Sequence, residues 1–136
     1  MDEAAIRKKL RDRIASVESI DRGYLEILEY AYHSKREIDI EIEQPEFTSV
    51  CPLTGLPDFG RIIIRYTPNE KIIELKSLKY YLLQYRNVGI FYEHVVNRIL
   101  EDLVAMVEPK HMEIKGAFTP RGGVTTTVVV RYPESR

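Results

Sequence analysis

Hydrophobic residues recur at helical spacing near the beginning of the chain. Ile6, Leu10, Ile14 and Val17 follow one another at intervals of three and four, with charged residues between them. This spacing predicts an amphipathic helix over about residues 3–17, whose apolar stripe needs a partner. Residues 24–30 then mix apolar and acidic side chains, and the pattern leaves their conformation open.

The hydrophobic period changes to two from residue 37 onward. Ile38, Ile40 and Ile42 alternate with acidic residues, which predicts a strand with one apolar and one wet face, and we expect Pro45 to end it. Residues 61–66 are β-branched and predict a second strand, which residues 67–69 terminate. The two strands would flank residues 49–60 as a wide hairpin.

The second half of the chain predicts two helices followed by two strands. Apolar residues at helical spacing indicate helices over residues 77–86 and 92–107. Residues 111–118 and 124–132 return to β character, with a turn at residues 119–123. The order β-β-α-α-β-β predicts an α+β fold, a four-stranded antiparallel sheet with both helices on one face. The other face, or the sheet edges, would be left for a partner subunit.

Composition describes one globular domain without a membrane segment. The 136 residues are 44% hydrophobic and 30% charged, and the net charge is -1. This near-neutral charge argues against a nonspecific binder of nucleic acid or of a membrane surface. One cysteine excludes an internal disulfide, and with no signal-peptide pattern or membrane-spanning run we expect a cytoplasmic protein. His33, His94 and His111 are far apart, so we expect no metal site.

The single cysteine, Cys51, lies in a segment rich in proline and glycine. Two prolines and two glycines among residues 52–60 lead us to expect an irregular loop over residues 49–60. Loops on a rigid scaffold often carry reactive residues, and Asp58 could supply a carboxyl group to the same pocket. A lone cysteine is more often inert, however, so this segment alone leaves a catalytic and a packing role open.

Three further stretches have both a functional and a purely structural interpretation. Lys76 and Lys79 lie on one side of a predicted helix start, where they suit a phosphate, although the spacing alone favours solvated surface lysines. Glu93, near the start of the long helix, could accept two parallel hydrogen bonds from a guanine-like edge or simply complement the helix dipole. Arg121 lies in a glycine turn that a ligand could approach, or that only closes a hairpin.

Taken together, four stretches closely resemble one enzyme family. They are residues 51–59 (CPLTGLPDF), 74–81 (ELKSLKYY), 91–93 (FYE) and 118–123 (FTPRGG), which occur in the family's order. The family is that of the NADPH-dependent 7-cyano-7-deazaguanine reductases, the nitrile reductases of queuosine biosynthesis, in its short form. The resemblance runs from about residue 46 to residue 131.

The resemblance implies a particular architecture, the tunnelling fold. This fold is built on the β-β-α-α-β-β unit and assembles into homo-oligomeric barrels with active sites between subunits. Residues 36–136 would form this catalytic domain. Residues 1–35 lie outside the resemblance, and we expect them to form a helical extension on the barrel exterior.

The resemblance also implies a mechanism and the residues that perform it. The Cys51 thiolate would add to the nitrile of 7-cyano-7-deazaguanine to form a thioimide, and Asp58 would carry the proton from sulfur to nitrogen. Two hydride transfers from NADPH would then give the primary amine. Glu93 would bind the guanine-like edge of the substrate, beside Tyr92. The remaining implied sites are substrate contacts around Ile73, Glu74 and Leu75 and NADPH phosphate contacts at Lys76, Lys79 and Arg121.

One position departs from the family pattern. The family commonly has His-Glu where this chain has Tyr92-Glu93, and here a histidine, His94, follows the glutamate instead. A helical residue one position past Glu93 points about 100° away, so we expect His94 at the surface or at an interface rather than in the missing histidine's place. Tyr92 can donate a hydrogen bond but does not titrate near neutral pH.

Two alternatives would use the same scaffold. A reductase-like amidinotransferase of archaeosine formation would attack a nitrile in tRNA with the same cysteine and aspartate. That reaction needs no nucleotide cofactor, whereas Lys76, Lys79 and Arg121 suit the phosphates of one. A non-catalytic purine- or pterin-binding tunnelling-fold protein would use only Glu93 to hold the ring, and Cys51 and Asp58 would then have no task.

Overall fold

A four-stranded antiparallel sheet forms the centre of the computed structural model, which describes residues 1–134. In chain order the elements are α1 (Glu3–Arg11), β1 (Ile27–Glu29), β2 (Ile40–Val50), β3 (Pro57–Thr67), β4 (Lys71–Ile73), α2 (Leu75–Leu83), α3 (Tyr92–Val107), β5 (His111–Arg121) and β6 (Val124–Tyr132). Strands β2, β3, β5 and β6 lie side by side in that order, and a small second sheet pairs β1 with β4. The predicted α+β class and the β-β-α-α-β-β order of the main unit are confirmed.

The helices α2 and α3 cover one face of the sheet, as the apolar periods predicted. The buried cluster between sheet and helices includes Ile62, Ile64, Ile114, Tyr81 and Ile99. On the opposite face, charged residues pair across neighbouring strands, for example Arg131 with Glu113 at 3.1 Å. Because side chains alternate between the two faces of a strand, one set of residues forms the core and the other stays wet.

Helix α1 is shorter than predicted, because it ends at Arg11 and not near residue 17. Beyond it the backbone joins the segment that precedes α3. The Ala15 amide donates to the Asn87 carbonyl at 2.7 Å, and the Gly89 amide donates to the Ala15 carbonyl at 3.2 Å. Ile14 packs so closely on Gly89 that a Cβ atom there would lie 2.5 Å from the isoleucine Cγ2. Pairing with another segment therefore outweighs the helical spacing of the apolar residues.

The prediction that Pro45 ends the first strand is wrong. Strand β2 continues through Pro45 to Val50, and its register with β3 shifts between Gln44 and Phe47. Proline lacks an amide donor, but a β-bulge on an edge strand does not require one. The order of strands makes β2 an edge strand, so the bulge absorbs the proline without ending the pairing.

The irregular segment around the cysteine is also shorter than expected. Of residues 49–60, only 51–56 form the connection, since β2 runs to Val50 and β3 begins at Pro57. Proline is tolerated as the first residue of a strand, which explains why Pro57 does not prevent pairing. Ser49 and Asp58 are directly opposed partners in this hairpin. The predicted hairpin is confirmed, but the connection between its strands is shorter than predicted.

The turn between the last two strands is likewise shorter than residues 119–123. Strand β5 extends to Arg121, and only Gly122 and Gly123 form the turn. Their φ angles of 59° and 81° lie in the left-handed region that glycine adopts readily, and two such residues make a tight hairpin turn. Arg121 is therefore the last residue of a strand, which fixes its backbone.

Residues before β2 also pack against the core. Ile20 and Leu25 belong to the same buried cluster as the sheet and helices. The Arg98 guanidinium of α3 donates to the carbonyls of Val17 and Ile20 and to the Asp102 carboxylate. The division of the chain at residue 35 stays a prediction. Among residues 1–134, no helix combines the length and apolar character needed to span a membrane.

Candidate active site

The connection that carries Cys51 is stabilised by hydrogen bonds within it and by contacts with α1. The Cys51 amide donates to the Leu56 carbonyl at 2.9 Å, and the Gly55 amide donates back to the Cys51 carbonyl at 2.8 Å. Gly55 has a φ of 75°, and a Cβ atom there would lie 2.6 Å from Leu10 Cβ in α1. Arg11, at the end of α1, donates to the Leu53 carbonyl at 3.1 Å. Helix α1 therefore packs directly on the cysteine connection.

The Cys51 thiol is buried and set up to ionise near neutral pH. Only 5% of the residue is exposed. Burial acts to raise the pKa of Cys51, but hydrogen bonds from the side chains of Thr54 and Arg121 and from the backbone of Thr54 and Leu53 outweigh it and lower that pKa to about 7. At this pKa about half of the thiol is thiolate at pH 7, and the thiolate is the nucleophilic form.

Asp58 lies near the cysteine, and one of its carboxylate oxygens contacts both Tyr92 and Arg121. The residue is 4% exposed and is the second residue of β3, just beyond the tip of the hairpin. The Tyr92 hydroxyl donates to Oδ1 at 3.0 Å, and Arg121 Nη1 lies 3.3 Å from the same oxygen. Arg121 also hydrogen bonds to Cys51, which is the main reason that the pKa of Arg121 is raised. The guanidinium thus bridges the thiol and the carboxylate.

A stack of aromatic rings holds Tyr92 in place. The Tyr92 and Phe118 rings lie nearly parallel, with centroids 3.9 Å apart and an angle of 12° between their planes. Phe118 fits against two glycines, since a Cβ atom on Gly60 would lie 2.7 Å from its Cδ1 and one on Gly116 would lie 2.8 Å from its Cε2. Burial, and after it the bond to Asp58, raises the pKa of Tyr92, so this phenol stays a donor at neutral pH.

The predicted substrate and cofactor positions at residues 73–79, in β4 and at the start of α2, lie at the other end of the sheet from Cys51. The Ile73 amide donates to the Tyr66 hydroxyl at 3.1 Å, and the Glu74 amide donates to the Glu26 carbonyl at 3.0 Å. From Asp58 to Tyr66, strand β3 spans about 26 Å at about 3.3 Å per residue. Within one chain, therefore, this end and the Cys51 end of the sheet form two separate groups.

Glu74 caps the N-terminus of α2. The Glu74 carboxylate accepts a hydrogen bond from the Ser77 amide at 2.6 Å, and this bond is the main reason that the pKa of Glu74 is lowered. Leu75, Lys76 and Lys79 are exposed on the first turns of the helix. The lysines therefore present their charges to solvent rather than to the core.

Comparison with known proteins identifies the family. The family model described as QueF-like protein matches residues 57–136. A protein of Caldanaerobacter subterraneus subsp. tengcongensis named NADPH-dependent 7-cyano-7-deazaguanine reductase is 54% identical over 92% of this chain and 92% of its own length. A protein of Chloroherpeton thalassium with the same name is 58% identical over 79% of this chain and 92% of its own length. The chain belongs to the QueF-like protein family.

A solved structure confirms the predicted tunnelling fold. This QueF-like protein superimposes on the crystal structure of the archaeosine synthase QueF-Like in the apo form with a TM-score of 0.64. The match covers 74% of this chain and 96% of the other, at 21% sequence identity. At that identity the likeness concerns the fold alone.

Glu93 and His94 lie in the first turn of α3, next to Tyr92. Both side chains are exposed. The His94 ring meets the Phe91 ring edge-on, with centroids 6.1 Å apart. The predicted surface position of His94 is confirmed, whereas the substrate contact predicted for Glu93 stays a prediction.

Three residues near the thiol were not predicted from the sequence. Thr54 hydrogen bonds to Cys51, Phe118 supports Tyr92, and Ser49 faces Asp58 across the hairpin. The alternation of β2 held a signal for Ser49, because positions 47, 49 and 51 share one face of an extended strand. Within residues 1–134 no three His, Cys, Asp or Glu side chains cluster in a way that could hold a metal ion.

Proposed function

We propose that this QueF-like protein is an NADPH-dependent nitrile reductase that converts 7-cyano-7-deazaguanine to 7-aminomethyl-7-deazaguanine, in queuosine biosynthesis in the cytoplasm. The observation that carries the proposal is the cluster of Cys51, Asp58 and Arg121. A thiol with a pKa of about 7 beside a buried carboxylate is equipped to add to an electrophilic carbon and to deliver a proton next to it. The names of the two relatives reported above agree with this chemistry.

The first step uses only groups of the chain and the nitrile. The Cys51 sulfur forms a bond to the nitrile carbon, and Asp58 delivers a proton to the nitrile nitrogen, which gives a thioimide on Cys51. A thioimide is a better hydride acceptor than a nitrile, because its C=N bond is activated by sulfur. NADPH, when bound, supplies the hydrides that reduce this carbon to the amine. The proton that Asp58 delivers comes from the Cys51 S–H bond, and Arg121, which contacts both groups, stabilises the negative charge as it moves from the carboxylate to the sulfur.

Cationic groups of the chain fit the phosphates of NADPH. Lys76 and Lys79 are exposed on the first turns of α2, where the helix dipole also favours anions. We assign them to the cofactor phosphates. Arg121 has the same predicted role, and its side chain is 43% exposed, so one edge of the guanidinium can face a phosphate while the other holds Asp58.

A second copy of the chain would complete the site. The Cys51 cluster and the start of α2 are separated by the length of β3, about 26 Å, so one molecule cannot present both to the same substrate. We infer that the active site lies between subunits of a homo-oligomer. One subunit would supply Cys51 and Asp58 with Tyr92 and Glu93. Its neighbour would supply the backbone of Ile73, Glu74 and Leu75 and the two lysines.

The experiment that tests this function follows NADPH absorbance with 7-cyano-7-deazaguanine as substrate. The reductase should consume two NADPH per nitrile and form the primary amine, and Cys51→Ala should consume none. An amidinotransferase or a non-catalytic purine-binding protein would leave NADPH unchanged. Absence of consumption by the wild-type protein would therefore reject the proposal.

A further inference from the structure

A serine hydroxyl is buried beside the active site without a hydrogen-bond partner. Ser49 is 0% exposed, and its Oγ makes no hydrogen bond within residues 1–134. One other buried side-chain atom in this part of the chain shares that property, Asp102 Oδ1, but it lies 2.9 Å from the Arg22 guanidinium. Buried hydroxyls nearly always have a partner, and an exception calls for a reason.

The position of Ser49 supplies such a reason. It is the direct partner of Asp58 in the pairing of β2 with β3, so both side chains project from the same buried face. Cβ atoms of directly opposed residues in an antiparallel pair are about 4.5–5.5 Å apart. At that separation, rotation about one side-chain bond of Ser49 brings its hydroxyl within reach of the Asp58 carboxyl group.

The two oxygens of Asp58 are not equivalent. Oδ1 accepts a hydrogen bond from the Tyr92 hydroxyl at 3.0 Å and forms an ion pair with Arg121 Nη1 at 3.3 Å, while no hydrogen bond from residues 1–134 reaches Oδ2. A proton taken up by Asp58 therefore goes to Oδ2, since Oδ1 is already engaged by these two groups. The neutral acid then has an O–H group that needs an acceptor. Arg121 cannot serve, because a guanidinium only donates.

We propose that Ser49 is a positioning residue for Asp58, an inference that rests on the proposed function. Its hydroxyl accepts the Oδ2–H bond of neutral Asp58 and so holds the proton until the nitrile nitrogen takes it. A hydroxyl can accept this bond, because it has two acceptor sites besides its own donor. When Asp58 is ionised, the Ser49 hydroxyl has no partner among residues 1–134, as the structure shows.

The proton balance of the step is simple. The S–H bond of Cys51 breaks and its proton moves to Asp58 Oδ2, the sulfur forms a bond to the nitrile carbon, and the proton passes from Oδ2 to the nitrogen. Nothing is oxidised or reduced in this addition. Ser49 neither gains nor loses a proton overall. Its unpaired hydroxyl in the resting protein lowers stability, and active sites commonly sacrifice stability for activity in this way.

The test compares Ser49→Ala with wild type in three measurements. The rate of thioimide formation without NADPH is followed by intact mass, the alkylation rate of Cys51 by iodoacetamide reports the thiolate, and thermal unfolding reports stability. We expect thioimide formation to slow by about tenfold or more. General acid catalysis contributes about a hundredfold or more to a rate, and loss of the positioning hydroxyl should remove part of that contribution. Alkylation should be unchanged, and the unfolding midpoint should be unchanged or higher, since an unpaired buried hydroxyl is removed.

Two further variants sharpen the comparison. Ser49→Thr keeps a hydroxyl and should recover most of the thioimide rate. Thr48→Ala removes a hydroxyl from the opposite side of the same strand and should change none of the three measurements. If Ser49→Ala forms thioimide as fast as wild type, or if its thioimide rate, alkylation rate and unfolding midpoint all fall together, the inference is rejected. If wild type itself forms no thioimide, the proposed function fails instead, and the inference falls with it.

Discussion

Replacing Arg121 with methionine should make Cys51 less reactive without touching the cysteine or its loop. The substitution keeps a long unbranched side chain but removes the guanidinium that hydrogen bonds to the thiol. That hydrogen bond is one of the contributions that lower the pKa of Cys51 to about 7, after the side chain of Thr54 and against the effect of burial. Without it, the pKa should rise toward the ordinary thiol value.

The size of the effect follows from the fraction of thiolate. With a pKa of about 7, half of the thiol is ionised at pH 7. With an ordinary pKa of about 8.5, only about 3% is ionised at that pH, so the alkylation rate can fall by up to about fifteenfold. Thr54 and the backbone amides remain in place, so we expect a loss of several-fold up to that limit.

The assay is the rate of alkylation of Cys51 by iodoacetamide, measured by intact mass from about pH 5.5 to about pH 9.5, a range that brackets both pKa values. The chain has one cysteine, so each alkylation event reports this residue. Arg131→Met is the matched control, because it removes the same charge from an ion pair on the opposite face of the sheet. A midpoint in Arg121→Met that coincides with wild type would refute the assignment of Arg121 to the thiol.

Three other outcomes follow from the same geometry. Thioimide formation should decline above about pH 7, where the Cys51 thiol loses the proton that the nitrile nitrogen needs, while alkylation of Cys51 rises through the same pH. Parallel pH profiles of the two rates would contradict the proton transfer. Lys76→Ala should raise KM for NADPH by about tenfold to a hundredfold, because a charge-assisted hydrogen bond contributes about 1.5–3 kcal/mol, and an equal loss in NADPH-free thioimide formation would point to a structural role. Gly116→Ala should lower the free energy of unfolding in urea by about 1–3 kcal/mol, since the new Cβ would lie 2.7 Å from Val96 and 2.8 Å from Phe118, and an unchanged midpoint would show that these side chains can move aside.

Periodicity predicted the elements of this fold better than their ends. The helix over Tyr92–Val107 and the strand over Val124–Tyr132 have the predicted limits, because both are long and strongly patterned. The misplaced ends of the first helix and of the first strand come from tertiary contacts that the local pattern does not contain. Ala15 leaves the first helix to pair with Asn87, and Pro45 is absorbed by a bulge on an edge strand.

The family resemblance named the members of the candidate site but not their arrangement. Motif resemblance brought Cys51, Asp58 and Arg121 together in one proposal. It could not show that Arg121 bridges the other two, because that contact joins the far end of β5 to the hairpin tip. Nor could it show that Tyr92 donates to Asp58, since the direction of the phenol is set by its stacking on Phe118.

The separation of the two predicted groups along β3 has a similar cause. In the sequence, the cysteine segment and the start of α2 are close neighbours, and only the family resemblance predicted a site shared between subunits. In the structure, an eleven-residue strand, Pro57–Thr67, runs between them and carries them to opposite ends of the sheet. Under the proposed function a second copy of the chain brings these ends together, a contact that hydrophobic periodicity within one chain does not contain.

The most direct test of the central claim is the intact mass of the protein after incubation with 7-cyano-7-deazaguanine in the absence of NADPH. The account predicts a gain equal to the full mass of the nitrile, since addition of the thiol expels nothing. The gain should map to the peptide that contains Cys51, disappear when NADPH is added, and never form in Cys51→Ala. A wild-type protein that reduces the nitrile without ever forming this adduct, or an adduct that persists in Cys51→Ala, would contradict catalysis through Cys51.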